Sequence, residues 1–376
     1  MIPPHPQRIL IRGVNWLGDA VMTIPALLRL RERYPQATLT LLAPDKLAPL
    51  WTHQPWVDQV LPFSRHDGLW QVSRRLRSRH HDLALALPNS HRSALELWLA
   101  RIPQRFGLAA PGRTWMFTTA IPPRPGVVRM RKRTPAEARR RFYQPHPSPE
   151  PLPPPEAHQL HHYLHLVAAL GADPTPISPR LEVAPQEQSR VRSKFGLVPD
   201  ETWLGLNPGA EYGPAKRWPI ERFAAVATQI QASTRCRWIL FGGPADVDLV
   251  RHLESQLTRP RPGTPALPPP VNLAGRTQLG ELCAALQCCR CLLTNDTGPM
   301  HLAAALGVPV IVPFGSTSPE LTGPGLPGDP HHRLLRHRVP CAPCFLRECP
   351  LTLQCLEGIS IGEVAHAVRA AAGFTS

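Results

Sequence analysis

The chain is poor in acid, poor in aromatics and without long apolar runs. It holds 27 Asp and Glu against 42 Lys and Arg in 376 residues, a formal net charge of +15. A chain this basic meets something anionic: nucleic acid, a membrane surface or a phosphorylated substrate. Aromatics make up 6% of residues, and no nucleic-acid module interleaves them with the basic residues. No nucleic-acid partner is therefore expected, and a non-enzymatic basic nucleic-acid binder stands as the alternative from another class. No run approaches the ~18–20 apolar residues of a membrane-spanning helix. The start, Met1-Ile-Pro-Pro-His-Pro-Gln-Arg8, lacks the apolar stretch of a signal peptide, so a cytoplasmic location is expected. The dinucleotide fingerprint Gly-x-Gly-x-x-Gly is also missing, which disfavours a nicotinamide oxidoreductase. What is abundant is proline, 48 residues, and a hydrophobic share of 43%, enough for the cores of two domains.

Apolar patterning repeats in two halves. Strands are expected at Arg8–Arg12, Thr38–Leu42 and Asp82–Leu87, with a helix over Ala20–Arg33. The second half offers strands at Trp203–Asn207, Trp238–Phe241, Cys291–Thr294 and Val308–Val312. Helices are expected there at Ile220–Ala232, Leu279–Leu286, Gly298–Leu306 and Ile361–Ala372. Strands alternating with helices imply an α/β protein built on parallel sheets. The pattern divides the chain into domains 1–180 and 181–376. Pro122–Pro155, with eleven prolines, separates the halves. Eight Arg or Lys lie between Arg124 and Arg141 against the single acid Glu137, so a mobile basic loop is expected. A second Pro-rich loop runs from Pro260 to Pro270.

Three segments carry chemistry. The first, Gly13-Val-Asn-Trp-Leu-Gly18-Asp19, has two glycines after a strand, but Asp19 stands where a Walker loop has lysine. A carboxylate there is favoured by the helix dipole and stays ionised. Asp19 is then either a general base or a helix cap. The second, Asn207-Pro-Gly-Ala-Glu-Tyr-Gly-Pro-Ala-Lys-Arg-Trp-Pro219, lets backbone amides at Gly209 and Gly213 approach a ligand. Lys216 and Arg217 add positive charge, as an anion site or as a solvated basic turn. The third, Thr294-Asn-Asp-Thr-Gly-Pro-Met-His301, opens a helix whose free N–H groups suit phosphate. His301, one turn in, faces ligand or core. A base in one half, and a lysine with a helix start in the other, suit transfer from a nucleotide sugar.

Together these segments resemble the heptosyltransferases of glycosyltransferase family nine. The stretches are Asn15–Leu28, Pro208–Pro219, Asn295–Gly307 and the tail Cys341-x-x-Cys344-Phe-x-Arg-x-Cys349-Pro. The resemblance implies a GT-B fold: two Rossmann-like domains facing across a cleft, the last helix packing back on the first. It implies inverting transfer of L-glycero-D-manno-heptose from ADP-heptose to an inner-core heptose of lipopolysaccharide, with no cofactor and no catalytic metal. A same-family transferase with another donor or acceptor is the nearest alternative. By position, Asp19 matches the general base and Lys216 the diphosphate-binding lysine. Asp296 matches the residue beside the donor sugar, and Thr297 and Gly298 the amides at the phosphates. His301 matches a histidine of that segment, and Gly209 and Arg217 fall in the donor-binding loop.

The implied acceptor is a phosphorylated lipid A–inner-core saccharide at the inner face of the inner membrane. Arg124–Arg141 is then either a dock for that acceptor or its anionic membrane, at about 1 kcal/mol per basic residue, or a solvated insert. The four cysteines Cys341, Cys344, Cys349 and Cys355 can hold zinc or pack as thiols.

Overall fold

The computed structural model describes residues 6–144, 151–260 and 268–374. Contacts divide the chain into two units, Met1–Val127 with Glu156–Glu182, and Val128–Pro155 with Val183–Ser376.

In the first unit, apolar strands run β1 Arg8–Arg12, β2 Thr38–Pro44, β3 Gln59–Phe63, β4 Leu83–Ala86, β5 Gln104–Leu108 and β6 Thr119–Ile121. All pair in parallel, in the order β3-β2-β1-β4-β5-β6. The residues Leu83, Ala84, Leu85 and Ala86 are all buried. That is the continuous apolar run of a strand covered on both faces.

The second unit repeats the plan. Its strands are β7 Trp203–Asn207, β8 Arg237–Leu240, β9 Val271–Asn272, β10 Leu292–Thr294, β11 Val310–Phe314 and β12 Arg333–Arg336. They pair in parallel in the order β12-β11-β10-β7-β8-β9. Counted from each unit's first strand, both sheets have the doubly wound order 3-2-1-4-5-6. The order reverses between β1 and β4, and between β7 and β10. Ligands of such sheets bind outside the carboxyl ends of the strands at this reversal. Among the described residues, no helix is long and apolar enough to cross a membrane.

Two expectations change. The helix over Ala20–Arg33 is two, Leu17–Met22 and Ile24–Arg33. Pro25 has no N–H to donate back to the Val21 carbonyl, and the Thr23 hydroxyl donates to the Ala20 carbonyl at 2.6 Å.

The basic segment is not simply a loop: Pro135–Phe142 is a helix with a complete capping box between Thr134 and Glu137. Ala138 is buried in the second unit's core, and Arg133 donates through Nη1 to the Cys341 carbonyl at 2.7 Å. Sequence charge hid this, because the anchors are main-chain carbonyls. Val128–Pro155 thus belongs to the second unit, whereas the sequence placed it with the first. Residues 145–150 of this insert, and 261–267 of the second Pro-rich loop, lie outside the described residues.

Finally, the apolar face of the helix Ile361–Ala371 (Val364, Ala365, Val368) is buried in the second unit's own core. It packs on the helix Ile220–Thr234 and on β11.

The first unit's site loop is fixed from below. Arg12, at the end of β1 and 2% exposed, pairs with Glu96, which is 0% exposed, at 2.9 Å. Its Nη1 donates to the Gly13 carbonyl at 2.5 Å and to Asn15 Oδ1 at 3.1 Å, and its guanidinium lies 4.4 Å from the Phe63 ring centre. Burial pulls the Arg12 pKa down, and Glu96 opposes that. Removing one partner of such a pair leaves an uncompensated buried charge. Glu96→Leu is therefore expected to cost about 3–5 kcal/mol of unfolding free energy in urea, and Arg12→Met/Glu96→Leu to recover most of it. A loss under about 1 kcal/mol in the single variant would mean that Arg12 reaches water.

Candidate active site

Both reversal points carry the residues singled out by sequence. In the second unit, β7 and β10 end side by side, with Thr294 in register with Asn207. The Asn207 amide donates to Thr294 Oγ1 at 2.9 Å. The next residue, Asn295, is fully buried. Its Oδ1 accepts from the Trp218 N–H at 2.9 Å, and its Nδ2 donates to the Pro208 carbonyl at 2.7 Å. One side chain thereby holds both ends of the loop 208–218 against the end of β10. Lys216 closes the single 3-10 turn Pro214–Lys216 inside that loop. Its ammonium lies 2.6 Å from Asp296 Oδ2, with Lys216 14% and Asp296 5% exposed. Thr317, in the loop after β11, donates to the same oxygen at 2.5 Å.

Thr297 caps the following helix, Gly298–Ala305, without a side-chain capping bond. Its Gly298 N–H is a donor that the helix itself does not use, while the Met300 N–H donates to the Thr297 carbonyl at 3.1 Å. Pro299 has none to offer. His301 is buried one turn in, between the fully buried Met300 and Leu302.

Two glycines shape the loop. A Cβ on Gly209 would lie 2.5 Å from the Asp246 carboxylate, and one on Gly213 (φ +152°) 2.5 Å from the Arg347 carbonyl. Arg217 donates to the Ala210 carbonyl at 3.3 Å and stands 3.6 Å from Asp246, while its Nε finds no hydrogen-bond partner among the described residues.

The tail Pro340–Pro350 braces this loop. The Tyr212 hydroxyl donates to the Phe345 carbonyl at 2.8 Å, and the Ala215 N–H to the Arg347 carbonyl at 2.9 Å. The Lys216 ammonium lies 5.0 Å from the Tyr212 ring centre. Cys341, Cys344, Cys349 and Cys355 line one small cavity with Ala138 and Phe142. All nine cysteines are free. Among the described residues, no group of three or more His, Cys, Asp or Glu is placed to hold a metal ion. Burial pushes the Cys341 thiol up to about 11 and that of Cys355 to about 12, which keeps them protonated at neutral pH.

In the first unit, Asp19 is the third residue of the helix Leu17–Met22 and half-buried. Its carboxylate benefits from the helix start. The Tyr163 hydroxyl faces Asp19 Oδ1 at 3.5 Å. Burial first, and then the charge of Asp19, raise the Tyr163 pKa well above its ordinary value, so it is a neutral neighbour.

The structure therefore brings Lys216 and Asp296 together and sets Gly209 and Arg217 around Asp246. Asp19 belongs to the other unit. Sequence reasoning missed Thr317, Asp246 and Asn295. The first two lie just past the ends of β11 and β8, where the ligand rule for parallel sheets had a signal to offer. Nothing in the sequence marks Asn295 as the tie between two loops.

Comparison with known proteins agrees with this architecture. The glycosyltransferase family 9 (heptosyltransferase) pattern matches residues 130–354. The lipopolysaccharide heptosyltransferase 2 of Salmonella typhimurium is 31% identical over 325 residues, 85% of each chain. That of Escherichia coli is 30% identical over 331 residues, again 85% of each. The solved structure of the E. coli ADP-heptose lipopolysaccharide heptosyltransferase II matches with a TM-score of 0.74 at 27% identity, covering 97% of this chain and 98% of that one. By fold, then, the chain is a GT-B glycosyltransferase, and the two doubly wound sheets are its Rossmann-like domains. It belongs to glycosyltransferase family 9, the heptosyltransferases.

Asn295→Ala is expected to destabilise the second unit by about 1–3 kcal/mol, because the buried Trp218 N–H and Pro208 carbonyl lose their partner. It should also speed limited proteolysis within 208–218. Unchanged urea unfolding and unchanged cleavage would show that the loop is held without it.

Proposed function

We propose that the chain is a heptosyltransferase II. In this reading it moves L-glycero-D-manno-heptose, with inversion, from ADP-heptose to the heptose of a phosphorylated lipid A–inner-core acceptor. It needs no cofactor or metal, and it works in the cytoplasm, peripheral to the inner face of the inner membrane. The observation that carries the reading is the Lys216–Asp296 pair at the β7/β10 reversal, 2.6 Å apart beside the start of the helix Gly298–Ala305. The two heptosyltransferase 2 relatives support it, as does the likeness to the E. coli ADP-heptose heptosyltransferase II.

The roles follow from charge. As the acceptor hydroxyl attacks the anomeric carbon, its proton goes to Asp19, a carboxylate held at a helix start. Positive charge builds on the sugar ring, as in glycoside cleavage, and Asp296 is the carboxylate beside it. Negative charge builds on the departing ADP. Lys216, Arg217 and the N–H groups at Thr297 and Gly298 stabilise it. Gly209 allows close approach of the loop backbone to the donor, and His301 supports the helix start from beneath.

The test incubates purified protein with ADP-heptose and an inner-core acceptor bearing one heptose, and follows ADP release and acceptor mass. The wild type should add one heptose in the anomeric configuration opposite to the donor's, read by NMR. Asp19→Asn should lose about 10²–10⁴-fold in kcat, and Lys216→Met about 10²–10³-fold. Transfer by Asp19→Asn at the wild-type rate would remove the base assignment. No heptose transfer by folded wild type would overturn the choice of donor or acceptor.

A further inference from the structure

The helix His91–Leu99 of the first unit is apolar on its outer face as well as its inner one. Ala94 and Leu97 are buried in the core. On the other side Trp98 is 40% exposed, with Leu95 and Leu99 half-buried beside it. A helix that covers a sheet ordinarily turns polar residues to water. Here the acid, Glu96, points inward instead, where Arg12 and Arg92 meet it at 2.9 Å. The outer band continues onto both neighbours. The Trp115 ring, 59% exposed, meets the Trp98 ring edge-on at 5.3 Å. The helix Leu69–Arg77 lies alongside: its Ser73 hydroxyl donates to the Glu96 carbonyl at 3.2 Å, and its Arg77 guanidinium to the Leu99 carbonyl. On that helix Trp70 is 71% exposed. Spacings of four and three put Trp70, Arg74 and Arg77 on one exposed stripe.

The charge of this surface has one sign. From Gly68 to Met116 the chain carries eight arginines and two acids, Asp82 and Glu96. Asp82 accepts the main-chain N–H groups of Gln7 and Arg8 at 2.7 and 2.9 Å, and Glu96 is fully buried. Exposed tryptophans set among arginines form an amphipathic surface. The indole is apolar in its body with one N–H to hydrate, and an arginine stem lies along apolar surface while its head stays in water.

We propose that this face, with Trp70, Trp98 and Trp115 among Arg74, Arg77 and Arg101, docks the protein on an anionic lipid surface. The assignment deepens the membrane-peripheral part of the function proposed above and rests on it, and it places the contact on the first unit. Charge chooses this occupant over two others. A second copy in a two-fold contact would set the arginines against their own equivalents. A nucleic acid would meet the cations but leave Leu95, Trp98 and Leu99 without a hydrogen-bonding match to its backbone. A headgroup layer offers both phosphate and an apolar boundary.

The test is co-flotation of the full chain with vesicles of phosphatidylethanolamine and phosphatidylglycerol, and with vesicles of phosphatidylcholine alone, in the absence of donor and acceptor. Wild type is compared with Trp98→Ser/Trp115→Ser and with Arg74→Gln/Arg101→Asn. Arg101 has φ +57°, which asparagine tolerates. Wild type should favour the anionic vesicles, less so as salt rises, and brominated acyl chains should quench its tryptophan fluorescence. Each variant should bind the anionic vesicles at least about tenfold more weakly, and the tryptophan variant should lose most of the quenching. Binding by either variant equal to that of wild type overturns the proposal, as does equal binding of wild type to both kinds of vesicle. So does a tryptophan variant that loses only self-association in sedimentation velocity, or an arginine variant that loses only binding to RNA. Docking is read without turnover. A protein that docks but transfers no heptose would refute the reaction and leave this surface standing, and transfer to a lipid-free acceptor without docking would do the reverse.

Discussion

The second unit's chemistry depends on a short stretch of main chain with no regular structure of its own. The carbonyls of Cys341, Cys344, Phe345 and Arg347 accept from Arg133 Nη1, the Arg133 N–H, Tyr212 and the Ala215 N–H. Buried backbone acceptors must find donors. Here the donors come from the two segments that most need fixing, the basic insert and the lysine loop. The Phe345 N–H in turn donates to the Ser316 carbonyl at 2.8 Å, which fixes the loop bearing Thr317. The four buried or half-buried thiols beneath this stretch fill the space between it and the helix Pro135–Phe142. In that packing role the protonated state of Cys341 and Cys355, which burial favours, is an advantage, since a small apolar side chain belongs there.

Much of this fold was legible. Strands Arg8–Arg12 and Trp203–Asn207 and the helix Leu279–Leu286 fall where apolar runs and turn residues put them. Strands buried on both faces leave little freedom in where an apolar run can sit. The positions of Lys216 and Asp296 beyond the ends of β7 and β10 were equally legible, because one stands in a loop rich in glycine and the other at a helix start. What escaped was held by long-range main-chain contacts. The composition of Arg124–Arg141 reads as disorder, yet Thr134 and Glu137 cap a helix there, and Arg133 finds carbonyls more than 200 residues away. Thr317 escaped for a related reason: a lone threonine has no signature until the fold sets its hydroxyl against Asp296.

The arginines fall into two kinds, and net charge does not tell them apart. Arg12 is buried with Glu96 at 2.9 Å, and its Nη1 is spent on the Gly13 carbonyl and the Asn15 side chain. It is a structural cation held by a carboxylate that it shares with Arg92, whose Nε lies 2.9 Å from Glu96 Oε1. Arg131 and Arg336, which line one pocket over β11 and β12, instead pair with the carboxylates of Glu137 and Glu320 nearer the surface. A formal charge of +15 is thus partly absorbed by ion pairs, some buried and some near the surface.

The two sheets share one strand order but not one chemistry, and the difference lies in the segment after each unit's first strand. After β1, the chain turns within a few residues into a helix that presents Asp19 in its first turn. Beside it stands the Tyr163 hydroxyl, which burial and the charge of Asp19 keep neutral. After β7 the chain runs from Pro208 to Pro219 before its long helix, far enough to bring Lys216 onto Asp296. There a cation and a threonine hydroxyl share one carboxylate oxygen, an arrangement that can stabilise negative charge on one side and positive charge on the other. Duplicated architecture sets where each reversal point lies, and the length and composition of one loop decide whether it presents a lone carboxylate or a lysine paired with one.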